Sequence, residues 1–237
     1  MKAGLIAAGT GERLRSAGIT VPKPLVDVAG RPLIDHVLGA VAAAGIDEVA
    51  CIFNAEPESD AVEAHCRRRS GGPPLTIVRR TTPSSMESLF TLAPHLTGER
   101  FLLLTVDAVF APEVLREFLG SASARGDADV VLAVTDFVDD EKPLRAALAS
   151  DGRVTALGAD AAASPLVTAG FYVFHPRVFA AIEAARAARL TALRQWLGQL
   201  HARGARIDGV RIGKTVDVDR PSDIAAADAF VRSGFAS

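Results

Sequence analysis

The sequence AAGTGERLRSAGITVPKPL, residues 7–25, joins an apolar segment to a glycine-containing turn, and this junction decides the fold. The overlapping run KAGLIAA (2–8) has the length and apolar character of a buried β-strand. Gly9, Thr10 and Gly11 follow it, and glycine lets backbone N–H groups approach a ligand that a Cβ atom would hold away. Successive N–H groups at such a turn bind anions. The stretch therefore predicts a strand that ends at an anion-binding turn.

Two well-known phosphate loops do not fit this turn. The Walker loop requires GxxxxGK[ST], which is absent, and the dinucleotide motif GxGxxG fails because its sixth position is Leu14. Two cations nearby nevertheless favour a phosphate site. Arg13 carries a permanently charged guanidinium, and Lys23 lies between two prolines that restrict its backbone.

Apolar runs of strand length recur after this stretch and alternate with segments of helical periodicity. The runs are VACIFN (49–54), LTIVRR (75–80), FLLLTV (101–106), DVVLAVT (129–135) and PLVTAGFYVFHP (165–176), and strand character returns at 206–219. Continuous apolar strands separated by helices predict an α/β fold, a three-layer α/β/α sandwich around a mostly parallel, Rossmann-like sheet. Ligands of such sheets bind at the carboxyl ends of the strands.

Composition excludes several classes of protein. The net charge of −2 provides no basic field for nucleic acid, and no apolar run approaches the ~20 residues that cross a bilayer. The N-terminus carries no signal-peptide pattern, and Cys51 and Cys66 have neither zinc nor CxxC spacing. We therefore expect a cytoplasmic protein that binds neither nucleic acid nor membrane, and the sequence leaves open whether it forms a homo-oligomer.

Ordered motifs now give a resemblance to a known family. They are AAGTGERL (7–14), PKPL (22–25), VAGRPLI (28–34), LLLTVDAVF (102–110), TAGFYVF (168–174) and TVDVDRPSDIAAA (215–227). The series resembles the nucleotidyltransferases that join a nucleoside triphosphate to a phosphorylated sugar or alcohol, and also the MobA-like NTP transferases. The resemblance implies one nucleotidyltransferase domain over 1–237. Its first half (1–136) would bind the nucleotide, and its second half (137–237) would bind the acceptor and supply a second metal ligand.

The resemblance also implies roles for individual residues. Arg13 would hold the β- and γ-phosphates, and Lys23 would bridge the α-phosphate and the acceptor phosphate. Mg²⁺ would be bound by Asp107 and Asp217, with Asp219 as an outer partner. The nucleotide would contact the first turn, at Ala8, Gly9, Thr10 and Gly11. A phosphate monoester is already anionic at neutral pH, so the reaction requires charge neutralisation and positioning rather than a general base.

The chain departs from the family pattern around the acceptor and the base. The lysine of the family's E-K-P run is absent from 156–166, and Thr168 replaces the usual Asn. The segment RRTTPSSMESL (79–89) resembles the members that cytidylylate choline phosphate or inositol phosphate, which favours CTP. The resemblance then implies nucleotide contacts from Ser85 and Ser88, and acceptor contacts from Thr168 and Gly170.

Other interpretations remain open from the sequence. An Asp after a strand is also typical of a turn, and Asp217 and Asp219 precede a final helix that needs a cap. The main hypothesis is a magnesium-dependent nucleotidyltransferase that activates a phosphorylated sugar, polyol or amino alcohol. The alternatives are guanylyl or cytidylyl transfer to molybdopterin, and a catalytically silent domain that binds nucleotides.

Overall fold

A computed structural model describes residues 1–137 and 143–236, so part of the predicted acceptor half, 138–142 and Ser237, lies outside the described residues. The strands are β1 Lys2–Ala7, β2 Asp27–Val28, β3 Arg31–Pro32, β4 Glu48–Phe53, β5 Leu75–Arg79, β6 Phe101–Thr105, β7 Ala108–Val109, β8 Val130–Thr135, β9 Ala146–Leu148, β10 Val154–Leu157, β11 Val167–Phe174, β12 Ile207–Arg211 and β13 Val216–Asp217. The α-helices are α1 Glu12–Ser16, α2 Leu33–Ala43, α3 Ser59–Arg67, α4 Ser85–Leu92, α5 Pro112–Ser123, α6 Ile182–Ala187, α7 Leu193–Ala202 and α8 Pro221–Arg232.

Seven strands form the central sheet in the order β12-β8-β11-β6-β1-β4-β5. All neighbouring pairs are parallel except those of β11, which runs antiparallel to both β6 and β8. The predicted mostly parallel α/β sheet is therefore confirmed. The strand-like stretch 206–219 divides into two strands, because β12 joins the central sheet whereas β13 pairs with β7 outside it.

Helices cover both faces of this sheet, as the continuous apolar strands require. On one face α2, α3 and α5 bury a cluster that includes Leu38, Val62 and Phe118. On the other face α4 and α7 bury a second cluster that includes Leu89 and Trp196. The predicted three-layer sandwich is thus confirmed. No helix within residues 1–137 and 143–236 combines the length and the apolar character needed to span a bilayer.

A third apolar cluster fixes the loops at the carboxyl edge of the sheet. It buries Leu14 of α1, Leu33 of α2 and Phe230 of α8 together with Val109 and Val216. The last two residues pair in the antiparallel ladder of β7 and β13. Burial of this cluster holds the first glycine turn, the segment after β6 and the start of α8 against one another.

Gly170 allows β11 to bend beside this edge. The register of β11 against β8 shifts between Thr168 and Tyr172, which is a β-bulge, and Gly170 has a φ of +78°. A Cβ atom at Gly170 would lie 3.0 Å from Oγ1 of Thr105 and 3.4 Å from Cβ of Ala108. Both the left-handed backbone and the close approach therefore select glycine.

Gly170→Ala is expected to lower the free energy of unfolding by about 1–3 kcal/mol, because it adds a strained backbone and a crowded methyl group. Denaturant titration monitored by circular dichroism measures this loss. Gly198→Ala in α7 is the matched control, since a Cβ there would meet nothing within 4 Å. We expect that control to be stabilising by about 0.5–1 kcal/mol. Equal stability of Gly170→Ala and the wild type would contradict the argument.

Candidate active site

Lys23 lies at the centre of the polar groups on the carboxyl edge. It opens a 3₁₀ turn, Lys23–Leu25, directly after Pro22, and it is 8% exposed. Its Nζ donates to Oδ2 of Asp107 at 2.8 Å and to Oδ1 of Asp219 at 2.5 Å. A buried ammonium group with two carboxylate partners is held in one position, as a role in positioning phosphates requires.

The two distant acidic segments meet through backbone pairing. Asp217 of β13 lies opposite Ala108 of β7, and the N–H of Val218 donates to the carbonyl of Asp107 at 3.0 Å. This ladder brings the end of β6 and the start of α8 together, although they are more than one hundred residues apart in the sequence. Within the acidic segment before α8, Asp219 is the residue that accepts from Nζ of Lys23, which also donates to Asp107.

Asp223 has a different role from the other acidic residues of this segment. Its Oδ2 accepts hydrogen bonds from the backbone N–H groups of Asp219 and Arg220, at 2.9 and 2.7 Å. Asp223 therefore caps the start of α8 and fixes the turn that carries Asp219. The sequence alone left open which residue of this segment caps the helix.

The opposite charges of Lys23 and Asp107 keep both side chains ionised. Burial by itself would lower the pKa of the Lys23 ammonium group, but the charges of Asp107 and Asp219 outweigh it and raise that pKa above its ordinary value. Burial would likewise raise the pKa of Asp107, and the charge of Lys23 overcomes this and holds the pKa below its ordinary value. Lys23 and Asp107 therefore form an ionised pair, which Asp219 contacts through Nζ of Lys23.

The glycine turn brings Arg13 to the same group. Gly11 precedes α1 with a φ of +63°, and a Cβ there would come within 3.1 Å of Cβ of Lys23. Arg13 is half-exposed, and its Nη1 donates to Oδ2 of Asp219 at 3.2 Å. Asp219 thus links the two cations that the sequence singles out, Arg13 and Lys23.

A cavity of about 360 Å³ opens beside Lys23 on the α4 side of the sheet, and we call it the nucleotide cavity after the nucleotide contacts that the sequence predicts for its lining. Its lining includes Ala8, Gly9 and Thr10 from the first turn, Ser85 and Ser88 from α4, and Asp107. Most residues predicted to bind the nucleotide therefore lie around one space. Gly11 is not in this lining among the described residues. The absence of a Cβ atom at Gly11 leaves room for the side chain of Lys23.

The two predicted serines differ in how they are placed. Ser88 is 2% exposed, and its Oγ donates to the carbonyl of Ser84 at 3.1 Å and hydrogen-bonds to Oγ1 of Thr82 at 2.6 Å. Both serines line the cavity, but Ser88 also holds the preceding loop in shape, whereas Ser85 lies at the first position of α4. Ser84 caps α4 by accepting from the N–H of Glu87, a pairing that the S-x-x-E spacing signals.

A second cavity of about 400 Å³ adjoins the first, and we call it the acceptor cavity after the acceptor contact that the sequence predicts for one of its residues. The two cavities share the loop and strand residues Pro83, Ser84, Ser85 and Thr105. This cavity also contains Thr168, for which the acceptor contact remains a prediction, together with Arg194 at the first turn of α7. Gly170 lies outside this lining among the described residues, because its role is in the bulge. The sequence offered no signal for Arg194, since only the fold brings α7 to this cavity.

Oxygen ligands for a divalent cation are present at this edge. Within residues 1–137 and 143–236, no three side chains of His, Cys, Asp or Glu converge as a metal cluster. Mg²⁺ needs fewer, because it is usually held by one or two carboxylates, water and substrate phosphates. Asp107, Asp217 and Asp219 supply donors of this chemistry, so the residues present fit a magnesium ion that binds together with a polyphosphate.

Known families and curated proteins include relatives of this chain. The family model of the MobA-like NTP transferase domain matches residues 3–204. The CMP-5'-(3-aminopropyl)phosphonate synthase of Streptomyces rubellomurinus is 33% identical over 60% of this chain and 25% of its own length. The bifunctional IPC transferase and DIPP synthase of Rubrobacter xylanophilus is 29% identical over 99% of this chain and 53% of its own length. This chain therefore spans from about a quarter to about half of these curated relatives.

A solved structure shares the whole fold. The inositol-1-phosphate CTP transferase from T. maritima superposes with a TM-score of 0.80, covering 100% of this chain and 98% of that one. The identity of the two sequences is 20%, so this likeness concerns the architecture of the sheet and its helices.

Proposed function

Given that this chain belongs to the family of MobA-like NTP transferase domains, we propose that it transfers a nucleoside monophosphate from a nucleoside triphosphate to a phosphorylated sugar, polyol or amino alcohol. Pyrophosphate is released in this reaction. The observation that carries the proposal is the position of Lys23, which contacts Asp107 and Asp219 and lines the nucleotide cavity. A fixed cation at that point serves the phosphorus atom at which the two substrates meet.

The described residues bind the two substrates and neutralise their negative charge. The first turn presents backbone N–H groups to the phosphates, and Arg13 neutralises the β- and γ-phosphates. Lys23 bridges the α-phosphate and the incoming acceptor phosphate. Two anions must approach for the reaction to occur, and preorganised cations lower the barrier without reorganising during the step. Arg194 and Thr168 face the acceptor from the adjoining cavity.

Magnesium is the metal that we propose for this site. Asp107 would hold it together with Asp217 or Asp219, and substrate phosphates and water would complete its coordination. When bound, the ion supplies positive charge that offsets the negative charge on the transferred phosphate. The ammonium group of Lys23 balances part of the charge of these carboxylates in the ligand-free protein.

CTP is the nucleotide that we propose first. The segment 79–89 favours it, and two of the related proteins carry CMP or CTP in their names. For the acceptor, the names of the two related proteins contain an aminopropylphosphonate in one case and an inositol phosphate in the other. The acceptor cavity offers hydroxyl groups and one guanidinium among its described residues, which suits a phosphate or phosphonate group on a polar small molecule.

A pyrophosphate-release assay tests the proposal. Purified protein with Mg²⁺ is combined with each of the four nucleoside triphosphates and with phosphorylated sugars, polyols and amino alcohols, and with molybdopterin. We expect release with CTP and at least one phosphorylated alcohol. Release with molybdopterin alone would replace the acceptor class by a pterin. No release with any pair, accompanied by thermal stabilisation by nucleotide, would identify a binding domain without this activity.

A further inference from the structure

Three residues at the start of α4 form a hydrogen-bonded group in the wall of the nucleotide cavity. Thr82, Ser84 and Ser88 all line this cavity. Oγ of Ser88 lies 2.6 Å from Oγ1 of Thr82 and 3.1 Å from the carbonyl oxygen of Ser84. We call these three residues the hydroxyl network. The nucleotidyl transfer proposed above assigns no role to Thr82.

The number of protons in the hydroxyl network fixes the direction of both hydrogen bonds. Each hydroxyl group carries one proton, and a carbonyl group carries none. The contact between Ser88 and the carbonyl of Ser84 is therefore a hydrogen bond only when Ser88 donates its proton there. The proton of the 2.6 Å contact must then come from Thr82. With that proton directed to Ser88, Oγ1 of Thr82 forms any further hydrogen bond as an acceptor.

Backbone contacts hold the hydroxyl network in place. The N–H of Ser88 donates to the carbonyl of Ser84 at 2.9 Å in the first turn of α4, and Oγ of Ser84 caps the same helix by accepting from the N–H of Glu87. Pro83 restricts the backbone of Thr82, the residue before it. Because Ser88 is buried, its proton stays within the protein. The acceptor on Thr82 is thus preorganised in the cavity wall.

The hydroxyl network belongs to the part of the lining that suits a base. The two charged residues among the described lining, Lys23 and Asp107, contact each other, and Lys23 packs closely beside Gly11 of the glycine turn. Phosphates are expected at that charged part. The hydroxyl network instead offers uncharged polar groups. A nucleotide with its phosphates at Lys23 therefore directs its uncharged base toward Thr82.

We infer that Thr82 selects a base with an exocyclic amino group, and that Ser88 positions the proton of Thr82; this rests on the proposed binding of a nucleotide in this cavity. Cytosine and adenine carry an amino group at this edge, whereas uracil, thymine and guanine carry a carbonyl oxygen. A carbonyl oxygen facing Thr82 would meet a second acceptor with no proton between them. Thr82 could donate to it only if Ser88 also reversed, which would break the bond from Ser88 to the carbonyl of Ser84.

The dissociation constants of CTP and UTP, measured by titration calorimetry with Mg²⁺, test this selection without turnover. We expect the wild type to bind CTP on the order of tenfold more tightly than UTP, because UTP costs the protein one hydrogen bond. Thr82→Val removes the acceptor at nearly constant shape, so CTP binding should weaken while UTP binding changes little. Ser88→Ala frees the proton of Thr82, so UTP binding should strengthen while CTP binding is retained. Both variants therefore bring the affinity ratio toward one, but from opposite sides.

Two further variants separate this role from a structural one. Thr82→Ser keeps the hydroxyl group and should keep the preference for CTP. Thr76→Val is the matched control, because Thr76 is exposed on β5 and lines neither the nucleotide cavity nor the acceptor cavity. Circular dichroism records the folding of each variant. If Ser88→Ala does not fold, the opposite effects of Thr82→Val and Thr82→Ser still decide the role of Thr82.

The outcomes distinguish this inference from the proposed activity. Equal affinity of the wild type for CTP and UTP would overturn the inference, and pyrophosphate release would still support the activity. A ratio that stays at the wild-type value in folded Thr82→Val or Ser88→Ala would overturn it as well. If the ratio falls in both variants but no substrate pair releases pyrophosphate, the base selection stands and the proposed activity is wrong. Failure to bind any nucleotide would overturn both.

Discussion

Lys23→Ala is expected to lower turnover by a factor on the order of 10²–10³, which corresponds to roughly 3 kcal/mol of barrier. The reason is geometric. Lys23 is buried, its Nζ is held by Asp107 and Asp219, and it lines the nucleotide cavity. Water that replaced the ammonium group would carry no charge for the meeting phosphates. Steady-state kinetics with the best substrate pair from the pyrophosphate-release assay measures the loss.

Two controls keep this result interpretable. Lys2→Ala removes a lysine from the amino end of the same sheet, where Lys2 pairs with Glu48 at the surface, and we expect turnover to be unchanged. Removal of Lys23 also leaves two neighbouring carboxylates without their cation, so the unfolding transition of each variant must be recorded. A folded Lys23→Ala protein with turnover close to that of the wild type would remove Lys23 from the mechanism.

Asp107→Asn is expected to have a comparably large effect, through the metal. Loss of one carboxylate removes a proposed ligand of Mg²⁺, and an ion that polarises a phosphoryl oxygen contributes several kcal/mol, so turnover should fall on the order of 10³-fold. The concentration of Mg²⁺ that gives half-maximal rate should rise at the same time. Titration of the metal in the presence of a non-hydrolysable nucleotide measures binding independently of turnover.

Comparison of Asp217→Asn with Asp219→Asn tests which of the two residues is the second ligand of the metal. The resemblance implies Asp217 as the metal ligand, whereas the side-chain contacts link Asp219 to both Lys23 and Arg13. We expect Asp217→Asn to raise the Mg²⁺ requirement, and Asp219→Asn to raise the KM for nucleotide as well. Asp160→Asn, an exposed position in the 3₁₀ turn Gly158–Ala161, serves as the matched control. Normal metal binding in Asp107→Asn would rule out the assignment of Asp107.

The local features of the fold were predictable because short-range physics fixes them. Apolar runs such as 101–106 indicate buried strands because they are too short for typical helices, and the glycine turn after β1 permits the backbone to approach a ligand closely. The capping of α4 by Ser84 was also readable, because its S-x-x-E spacing is local. In contrast, no local pattern distinguishes Ser88, whose hydroxyl group supports the loop, from Ser85, although both line the cavity.

By itself, the sequence determined the α/β class, the family and the residue types of the proposed polyphosphate site at the end of β1. Only the tertiary structure decided which distant residues meet there. Pairing of β13 with β7 brings the second acidic segment to Asp107, and the antiparallel β11 turns Thr168 toward the cavity that Arg194 of α7 completes. The physical reason is that strand order and helix packing depend on burial of the whole core, whereas a motif records only the backbone and chemistry of its own few residues.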